Sequence, residues 1–391
     1  MIRDLELTAI LNSRGEETLR VTVVTEEGRF SSDCPCGKSR GSAEPVFLPV
    51  PRILEFFPEF KKNLIGFDET DFESVDSFLE EFGGERFSKI GGNLSIAVSQ
   101  AVLKAAAGGD VYRFLGGRRV FPYPLGNVVG GGAHGGYTEI QEFLVIPSGS
   151  ETLPEAVKTN VEIWNAVRTY LEARGIPWGR NDEGAITFKA GYRKILEIVC
   201  SVAEDYGAGV GLDMAASTIF ENGEYRYPGS GKVLDPGEQL EFVKDLVRTF
   251  NLVYVEDPFH EEDFSSFAEL ARSVKCVVCG DDLFATNPER LEIGVNLKSA
   301  NGIILKPTQA GTVSRLLKTE NLARKRGMVR VVSHRSGETC DPFISDLAVG
   351  TGSELIKCGI MGGERVSKAN RLLEIWERES ERGRVRMVRV R

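Results

Sequence analysis

Six residues that can do chemistry each stand at the end of a short apolar run. In chain order they are three carboxylates, a lysine, a histidine and a second lysine: Asp213, Glu256, Asp281, Lys306, His334 and Lys357. Three carboxylates that converge on one point cannot all stay ionised without a cation between them, and ligand sets made only of oxygen favour Mg²⁺ or Mn²⁺ over zinc. Capping of the helices that follow is the alternative for each acid alone. Three such acids in series favour the metal site.

Lys306 follows the three acids at the end of the next apolar run and is a candidate base. Positive charge from a metal and from Lys357 would lower the pKa of Lys306 and leave a useful fraction of neutral amine. A simple ion pair with a carboxylate is the alternative. The apolar run that leads straight into Lys306 and then Pro307 argues against a plain surface position.

The segment Ser333-His334-Arg335-Ser336-Gly337-Glu338 places an imidazole, a guanidinium and a hydroxyl in consecutive positions. Arginine presents a planar fork of donors that fits phosphate oxygens, and serine adds a further donor. The segment therefore predicts an anion-binding site. His334 considered alone is equally typical of a half-buried histidine with a structural partner.

Two further segments carry weaker signals. Residues 130–136 contain His134 and are too rich in glycine for the interior of a helix or strand. Gln141 and Glu142 begin the next apolar run, and Glu183 lies in a short acidic loop at residues 181–184. On local grounds each of these carboxylates is more typical of simple surface charge.

These residues need a fold that gathers the ends of successive strands. Short apolar runs alternate with amphipathic helical patterns over about 270 residues, which predicts an α/β fold of the (β/α)8 barrel type. Functional groups in such barrels collect at the C-terminal ends of the strands. A doubly wound open sheet is the competing fold, but it would not place six consecutive strand ends around one point.

The first part of the chain has a different pattern. Leu19, Val21 and Val23 alternate with polar residues and Glu27-Gly28 supplies a turn, which predicts a β-meander. From about residue 70 to residue 117 the apolar spacing becomes helical. We therefore predict a smaller N-terminal α+β domain over residues 1–117 and a C-terminal barrel domain over residues 118–391.

Composition narrows the class of protein. The chain has 391 residues and a formal net charge of −9, which argues against nucleic-acid and membrane partners but is compatible with an anionic substrate. No stretch has the length and apolarity of a membrane helix or a signal peptide. The seven cysteines are scattered and odd in number, which predicts a reducing, cytoplasmic environment. Cys276 and Cys279 lie in an apolar run and are predicted to be buried thiols rather than a redox or metal pair.

Several motifs, in order along the chain, resemble the enolase family. Ser13-Arg14-Gly15 with Glu17-Thr18 resembles the family's opening hairpin, and the glycine loop around His134 with Gln141-Glu142-Phe143 resembles its histidine loop. The remaining motifs are Leu212-Asp213-Met-Ala-Ala-Ser, Glu256-Asp257-Pro258-Phe259, Gly280-Asp281-Asp282-Leu283 and Ser333-His-Arg-Ser-Gly-Glu-Thr339. The resemblance covers roughly residues 5 to 377, and the ordered set is far more specific than any one motif.

The resemblance implies an enolase-type barrel and a phosphopyruvate hydratase, a lyase of glycolysis that converts 2-phosphoglycerate to phosphoenolpyruvate. It implies that Asp213, Glu256 and Asp281 hold a Mg²⁺ ion, and that Ser39, on a mobile lid at residues 34–41, reaches a second, substrate-dependent Mg²⁺. Lys306 would be the base and Glu183 the acid, assisted by Glu142, with His134 and His334 nearby. The implied substrate-binding residues are Gln141, Arg335, Ser336 and Lys357. A homo-oligomer, either a dimer or an octamer, is implied as well.

The chain also departs from the family pattern. Lys38 and Arg40 add two positive charges to the lid, Thr308 stands where an asparagine is usual, and Cys340 replaces a common acidic residue. These changes motivate a second hypothesis, an enolase-like paralogue that performs the same elimination on another anionic 2-substituted 3-hydroxy acid. A third hypothesis, a non-catalytic binding or scaffold protein, rests on the basic tail at residues 384–391. A solvated or edge-paired terminus is the simpler interpretation of that tail.

Overall fold

The computed structural model describes residues 1–37, 41–117 and 119–389. It begins with an antiparallel sheet of three strands, which run over Asp4–Leu11 (β1), Glu17–Val24 (β2) and Arg29–Asp33 (β3). Leu19, Val21 and Val23 on β2 are fully buried, as period-two alternation requires of a strand with one face on the core. The backbone N–H of Thr25 donates to the carbonyl of Gly28 and closes the turn before β3. The predicted β-meander is confirmed.

Helices complete the N-terminal part: Val50–Phe60 (α1), Phe72–Gly83 (α2), Gly92–Ala106 (α3) and Val111–Phe114 (α4). The α3 helix is buried on nearly every side, because it contacts β2 and β3 as well as helices of the second part of the chain. Gly108 and Gly109 follow α3 with φ angles of 55° and 88°, a conformation that glycine adopts without strain. The helical pattern predicted to start near residue 70 therefore corresponds to α2, α3 and α4.

The second part of the chain contains the barrel. Its strands, in chain order, are Val120–Phe121 (β4), Tyr123–Gly130 (β5), Glu142–Ile146 (β6), Trp178–Arg180 (β7), Ile186–Phe188 (β8), Gly209–Asp213 (β9), Phe220–Glu221 (β10), Glu224–Tyr227 (β11), Lys232–Leu234 (β12), Tyr254–Glu256 (β13), Val277–Gly280 (β14), Gly302–Leu305 (β15), Val329–Ser333 (β16), Leu355–Lys357 (β17) and Arg386–Met387 (β18). The barrel strands are β5, β6, β9 and β13 to β17, and pairing of β17 with β5 closes the sheet. Closure confirms the predicted barrel and excludes the open sheet.

Helices follow most of the barrel strands: Leu153–Glu172 (α5), Tyr192–Asp205 (α6), Pro236–Phe250 (α7), Phe264–Ser273 (α8), Pro288–Leu297 (α9), Pro307–Ala310 (α10), Val313–Lys325 (α11), Phe343–Thr351 (α12) and Gly363–Ser380 (α13). The start of α7 shows how the sequence sets these boundaries. Asp235 accepts the backbone N–H of Glu238, whose side chain accepts the N–H of Asp235 in return, and Pro236 occupies the first helical position. Val243 and Leu246 then face the core.

One strand of this barrel does not run parallel to its neighbours, as every strand of a purely parallel barrel does. The β6 strand runs antiparallel to both β5 and β9, because a glycine-rich loop joins β5 to β6 directly, without a helical crossover. The apolar pattern of a run does not encode the direction of the strand, so the sequence did not predict this reversal. A second hairpin, β7 and β8, pairs with β5 and carries the loop with Glu183 at its tip.

The C-terminal tail and the cysteine pair take the simpler of the predicted arrangements. The β18 strand pairs with β4, where the backbone N–H of Arg386 donates to the carbonyl of Arg119 at 3.1 Å, so the described part of the tail is edge-paired. Cys276 and Cys279 are free, buried thiols.

Within the described ranges, every helix is too short or too polar to cross a bilayer. The division into domains at residues 117 and 118 stays a prediction.

Hydrogen bonds from the N-terminal part satisfy the first turn of α11 in the barrel. Asp76 of α2 accepts the backbone N–H of Ser314 at 2.8 Å and the Ser314 hydroxyl at 2.6 Å, and the Ser99 hydroxyl accepts the backbone N–H of Val313. Burial raises the pKa of Asp76 to about 6, although bonds from Ser314 and Ser99 oppose the shift. Asp76 therefore joins the two parts of the chain, but ionising its carboxyl group in this buried position costs free energy.

This cost predicts a pH dependence of stability. A carboxyl whose pKa is higher in the folded protein binds more protons there than in the unfolded chain, so stability falls as the pH rises between about 4 and 6. We expect Asp76→Asn to remove this pH-dependent loss of folding free energy, which amounts to at most about 3 kcal/mol at neutral pH. Urea unfolding from pH 4 to 7 measures the difference between wild type and variant. Glu73→Gln, on an exposed position of the same helix, is the control and should follow wild type. Equal slopes for Asp76→Asn and wild type would contradict this assignment.

Candidate active site

The predicted site residues meet at the C-terminal end of the barrel. One cavity is lined by eleven of them: His134, Gln141, Glu142, Glu183, Asp213, Asp281, Lys306, His334, Arg335, Ser336 and Lys357. Glu256 is fully buried and hydrogen-bonded to Lys357. Ser39, with the atypical Lys38 and Arg40, lies outside the described residues. The six strands that end in these groups are neighbours in the closed sheet, which is why residues far apart in sequence share one cavity.

The predicted metal carboxylates are paired with the two lysines. The Lys357 ammonium donates to Asp213 and to Glu256, with both Nζ-to-oxygen distances at 2.9 Å. Lys306 donates to Asp281. The three acids and the two ammonium groups therefore form one charge network, in which two positive charges only partly balance three carboxylates.

This pairing changes the expected ionisation of the base. Burial has the largest single effect and lowers the pKa of Lys306, but the raising effects, led by the adjacent Asp281 carboxylate and including Glu256, together outweigh it, so the net shift is upward. The predicted lowering of the pKa presupposed a metal beside Lys306, so it stays a prediction; here Asp281, the acid that would serve the metal, pairs with the lysine instead. Burial, and then the charge of Asp213, raise the pKa of Glu256 to about 8. Crowded carboxylates of this kind resist simultaneous ionisation.

A second group of side chains forms another wall of the cavity. Glu183 accepts a hydrogen bond from the Asn127 amide at 3.1 Å and lies 3.4 Å from Nδ1 of His134. The His334 Nε2 atom is 3.8 Å from the other oxygen of Glu183. His134 also approaches Glu142, with 3.6 Å between Nδ1 and Oε1. The hairpin tip and the glycine loop thus bring together residues that local sequence reasoning would assign to the surface.

The two glutamates in this group differ in ionisation. Burial raises the pKa of Glu142 well above its ordinary value, and attraction to Lys357 offsets only part of the shift. Burial also acts to raise the pKa of Glu183, but His134, His334 and Arg365 reverse the effect, so its pKa lies well below the ordinary value. Two acids in one site with pKa values pushed apart are typical of acid–base chemistry. The low pKa therefore favours the ionised form of Glu183.

The predicted anion-binding arginine already has partners. Arg335 donates to Glu44 at 2.9 Å and to the Thr308 hydroxyl at 3.1 Å, and all three residues are buried. Ser336 accepts a hydrogen bond from Arg14 at 2.9 Å, which brings the β1–β2 turn onto the site. The backbones of Cys36 and Gly337 exchange two hydrogen bonds, both with N-to-O distances of 2.8 Å. The start of the predicted lid is thereby attached to the anion-binding segment.

Comparison with known proteins identifies the family. Residues 118–386 match the family model described as "Enolase, C-terminal TIM barrel domain". The chain is 42% identical to the enolase of Archaeoglobus fulgidus, over 96% of this chain and 97% of the relative. It is 41% identical to the enolases of Methanothermobacter thermautotrophicus and Pyrobaculum aerophilum, over 96% of each chain. The chain belongs to the enolase family. It is therefore a hydro-lyase with a TIM barrel, and no finding favours the scaffold hypothesis or the paralogue.

The family implies magnesium, and the residues of this cavity fit that ion. Asp213, Glu256 and Asp281 supply only carboxylate oxygens, the donors that Mg²⁺ prefers. Burial, and then repulsion from Asp213, raise the pKa of Glu256, and a cation beside these acids would oppose both effects. Oε1 of Gln141 is buried and has no hydrogen-bond partner among the described residues, so one more oxygen is available at this point.

Sequence reasoning missed several residues that support the site. Asp257 accepts the backbone N–H groups of Asp281 and Asp282 at 2.9 and 2.8 Å, so it fixes the turn after β14. Its position inside the motif with Glu256 was a usable signal. Glu44 offered none, because it lies in an irregular loop and its partner Arg335 is far away in the chain.

Proposed function

We propose that this chain removes water from 2-phosphoglycerate to give phosphoenolpyruvate in a Mg²⁺-dependent reaction. One observation carries the proposal: six neighbouring strands end in acid, acid, acid, amine, imidazole and amine around one shared charge network. Identity of 42% to an enolase over nearly the whole chain supports the same reaction.

The metal residues in this proposal are Asp213, Glu256 and Asp281, with Ser39 assigned to a second, substrate-dependent ion. Bound magnesium supplies positive charge where negative charge builds up on the substrate carboxylate. Lys357 lies beside Asp213 and Glu256 and contributes a further positive charge at that place.

Lys306 acts as the base. With Asp281 engaged by a metal, Lys306 would no longer be held as an ammonium, and its neutral amine would accept the proton from C2 of the substrate. The C–H bond breaks, and the electron pair moves toward the carboxylate. Because that proton is very weakly acidic, positive charge near the carboxylate has to stabilise the product of this step. Burial of Lys306 and Lys357 excludes water from the same region and strengthens these electrostatic interactions.

Glu183 then assists the departure of the C3 hydroxyl, supported by Glu142, His134 and His334. The electron pair left at C2 forms the new double bond to C3, the C3–O bond breaks, and the hydroxyl leaves as water. The low pKa of Glu183 favours its ionised form, so its role as the acid requires a proton gained when the substrate is bound. A negatively charged substrate favours this protonation, because nearby negative charge raises the pKa of a carboxyl.

Gln141, Arg335 and Ser336 bind and orient the substrate. The guanidinium of Arg335 is a planar fork suited to phosphate, and Glu44 and Thr308 hold it in place. The lid at residues 34–41 excludes water when it closes, an expected role for a loop attached to the anion-binding segment. We further propose that the chain works in the cytoplasm and that it is a homo-oligomer. Light scattering on the purified protein tests the oligomeric state.

The reaction and its metal dependence are tested together by ultraviolet absorbance of phosphoenolpyruvate. With Mg²⁺ and 2-phosphoglycerate we expect turnover within a few-fold of an ordinary enolase. After treatment with EDTA we expect no measurable turnover, because the three acids then lack their cation, and excess Mg²⁺ should restore it. Absence of turnover with Mg²⁺ present would overturn the substrate assignment. Full turnover in EDTA would overturn the role of the metal.

A further inference from the structure

Arg365 lies in the first turn of α13 and is completely buried. Its guanidinium reaches the segment after β16, where it donates to the carbonyl oxygens of Arg335 at 2.7 Å and Ser336 at 2.6 Å. The same Nη1 atom lies 2.6 Å from Nδ1 of His334. We propose that Arg365 is a positioning residue that fixes His334 as the neutral tautomer with its proton on Nε2, directed at Glu183. The part of this inference that concerns turnover rests on the proposed function.

The chemistry of the two groups determines the tautomer. A guanidinium stays protonated in proteins and has donors but no acceptor, so at 2.6 Å the Nδ1 atom of His334 has to accept. An accepting Nδ1 carries no proton, and the single proton of the neutral ring is then on Nε2. A proton on Nδ1 would instead point at the N–H of Arg365 and repel it.

The surroundings of His334 support a neutral ring. Burial, and then the charge of Arg365, lower the pKa of His334 well below its ordinary value, and the opposing effect of Glu183 does not compensate. Lys306 and Lys357 act in the same direction as Arg365. A ring that stays neutral donates a hydrogen bond without giving up a proton, so its donor strength does not change across neutral pH.

The donor faces the part of the cavity where the hydroxyl would leave. Nε2 of His334 and Oε1 of Glu183 are 3.8 Å apart, which is too long for a direct hydrogen bond. Both groups line the cavity, so a substrate oxygen can contact both. An aligned N–H at this place would stabilise negative charge on the departing oxygen, as donors of an oxyanion hole do.

Arg365 is suited to this task by shape as well as charge. Its two Nη atoms hold two successive carbonyl oxygens and the imidazole at once, which the single Nζ of a lysine cannot do with the same geometry. Gly359 has a φ angle of 73° and makes room for the arginine stem, since a Cβ there would lie 3.1 Å from Cγ and Cδ of Arg365. The backbone that carries Arg335 is therefore held by the same side chain that orients His334.

The chain has only three histidines, so ¹⁵N-histidine labelling of the full-length protein reports the tautomer directly. Signals are assigned with His134→Gln and His260→Gln. In wild type we expect a non-protonated Nδ1 and a protonated Nε2 for His334, unchanged between pH 6 and 9. In Arg365→Met we expect mixed tautomers and a titration that moves toward the ordinary pKa near 6.5. Arg378→Met, on an exposed position of the same helix, should leave the His334 signals unchanged.

Turnover provides the second measurement. In Arg365→Met we expect kcat to fall by about 10²-fold with a much smaller change in KM, the effect of losing one aligned donor. Arg365→Lys should recover part of the Nε2-protonated population and part of kcat. A wild-type His334 that is protonated on Nδ1 or on both nitrogens would overturn the proposal. This measurement is made on wild type, so it does not depend on the folding of any variant. An unchanged tautomer with unchanged kcat in Arg365→Met would also overturn it. Failure of wild type to convert 2-phosphoglycerate refutes the proposed function, whereas the NMR result tests the tautomer independently.

Discussion

Lys306→Ala is expected to lose proton exchange at C2 of 2-phosphoglycerate while it still binds the substrate. The side chain lies at the end of β15, half-buried beside Asp281, in the position proposed for the base. A positioned base contributes about 10²- to 10⁴-fold to rate, so we expect kcat to fall by about that factor. Substrate affinity should change only a few-fold, because Gln141, Arg335 and Ser336 are left in place.

Two measurements check this result. Proton NMR in deuterium oxide follows loss of the C2 signal, and calorimetry with 2-phosphoglycerate and Mg²⁺ gives the affinity. The control is Lys325→Ala, which removes an exposed lysine from α11 and should exchange at the wild-type rate. Exchange that persists in Lys306→Ala at the wild-type rate would show that another residue takes the proton.

Glu183→Gln is expected to impair the second half of the reaction, loss of the C3 hydroxyl, and to spare the first half, removal of the C2 proton. Glutamine keeps the size of the side chain and can accept the Asn127 hydrogen bond, but it cannot deliver a proton to the leaving hydroxyl. We expect phosphoenolpyruvate formation to fall by about 10²- to 10⁴-fold. Exchange at C2 should remain measurable, because Lys306 is untouched.

The two variants therefore form a matched pair. Lys306→Ala should lack exchange and product, whereas Glu183→Gln should retain exchange and lack product. Glu172→Gln, on a half-exposed position of α5, should behave as wild type in both assays. If Glu183→Gln forms product at the wild-type rate, Glu183 is not the acid. If it loses exchange as well as product, Glu183 acts in the first step and the assignment has to change.

The positions of the barrel strands could be predicted because each apolar run ends in a residue of distinct chemistry. The runs that end at Asp213, Glu256 and Lys306 correspond to β9, β13 and β15. Parallel strands in a closed sheet bring their C-terminal ends together, so the gathering of these residues also followed from the pattern. The reversal of β6 could not be predicted, since the alternation of apolar residues is the same in both directions.

Contacts between segments far apart in the chain were the part of the site that could not be predicted from the sequence. Glu44 holds Arg335 and Arg365 holds His334, and in each case one partner looks ordinary in its local sequence. The prediction for the ionisation of Lys306 stays untested for a related reason. It assumed a metal beside Asp281, whereas here Asp281 pairs with the lysine itself.

The central claim is that the acids at the ends of three neighbouring strands hold one divalent ion beside the substrate. Anomalous scattering from a crystal soaked in Mn²⁺ and 2-phosphoglycerate tests it most directly. We predict a manganese peak bonded to Asp213, Glu256 and Asp281, with the substrate carboxylate next to it. A peak placed instead in the cluster of Asp257, Asp281 and Asp282, or in that of His134, Glu142 and Glu183, would contradict the account.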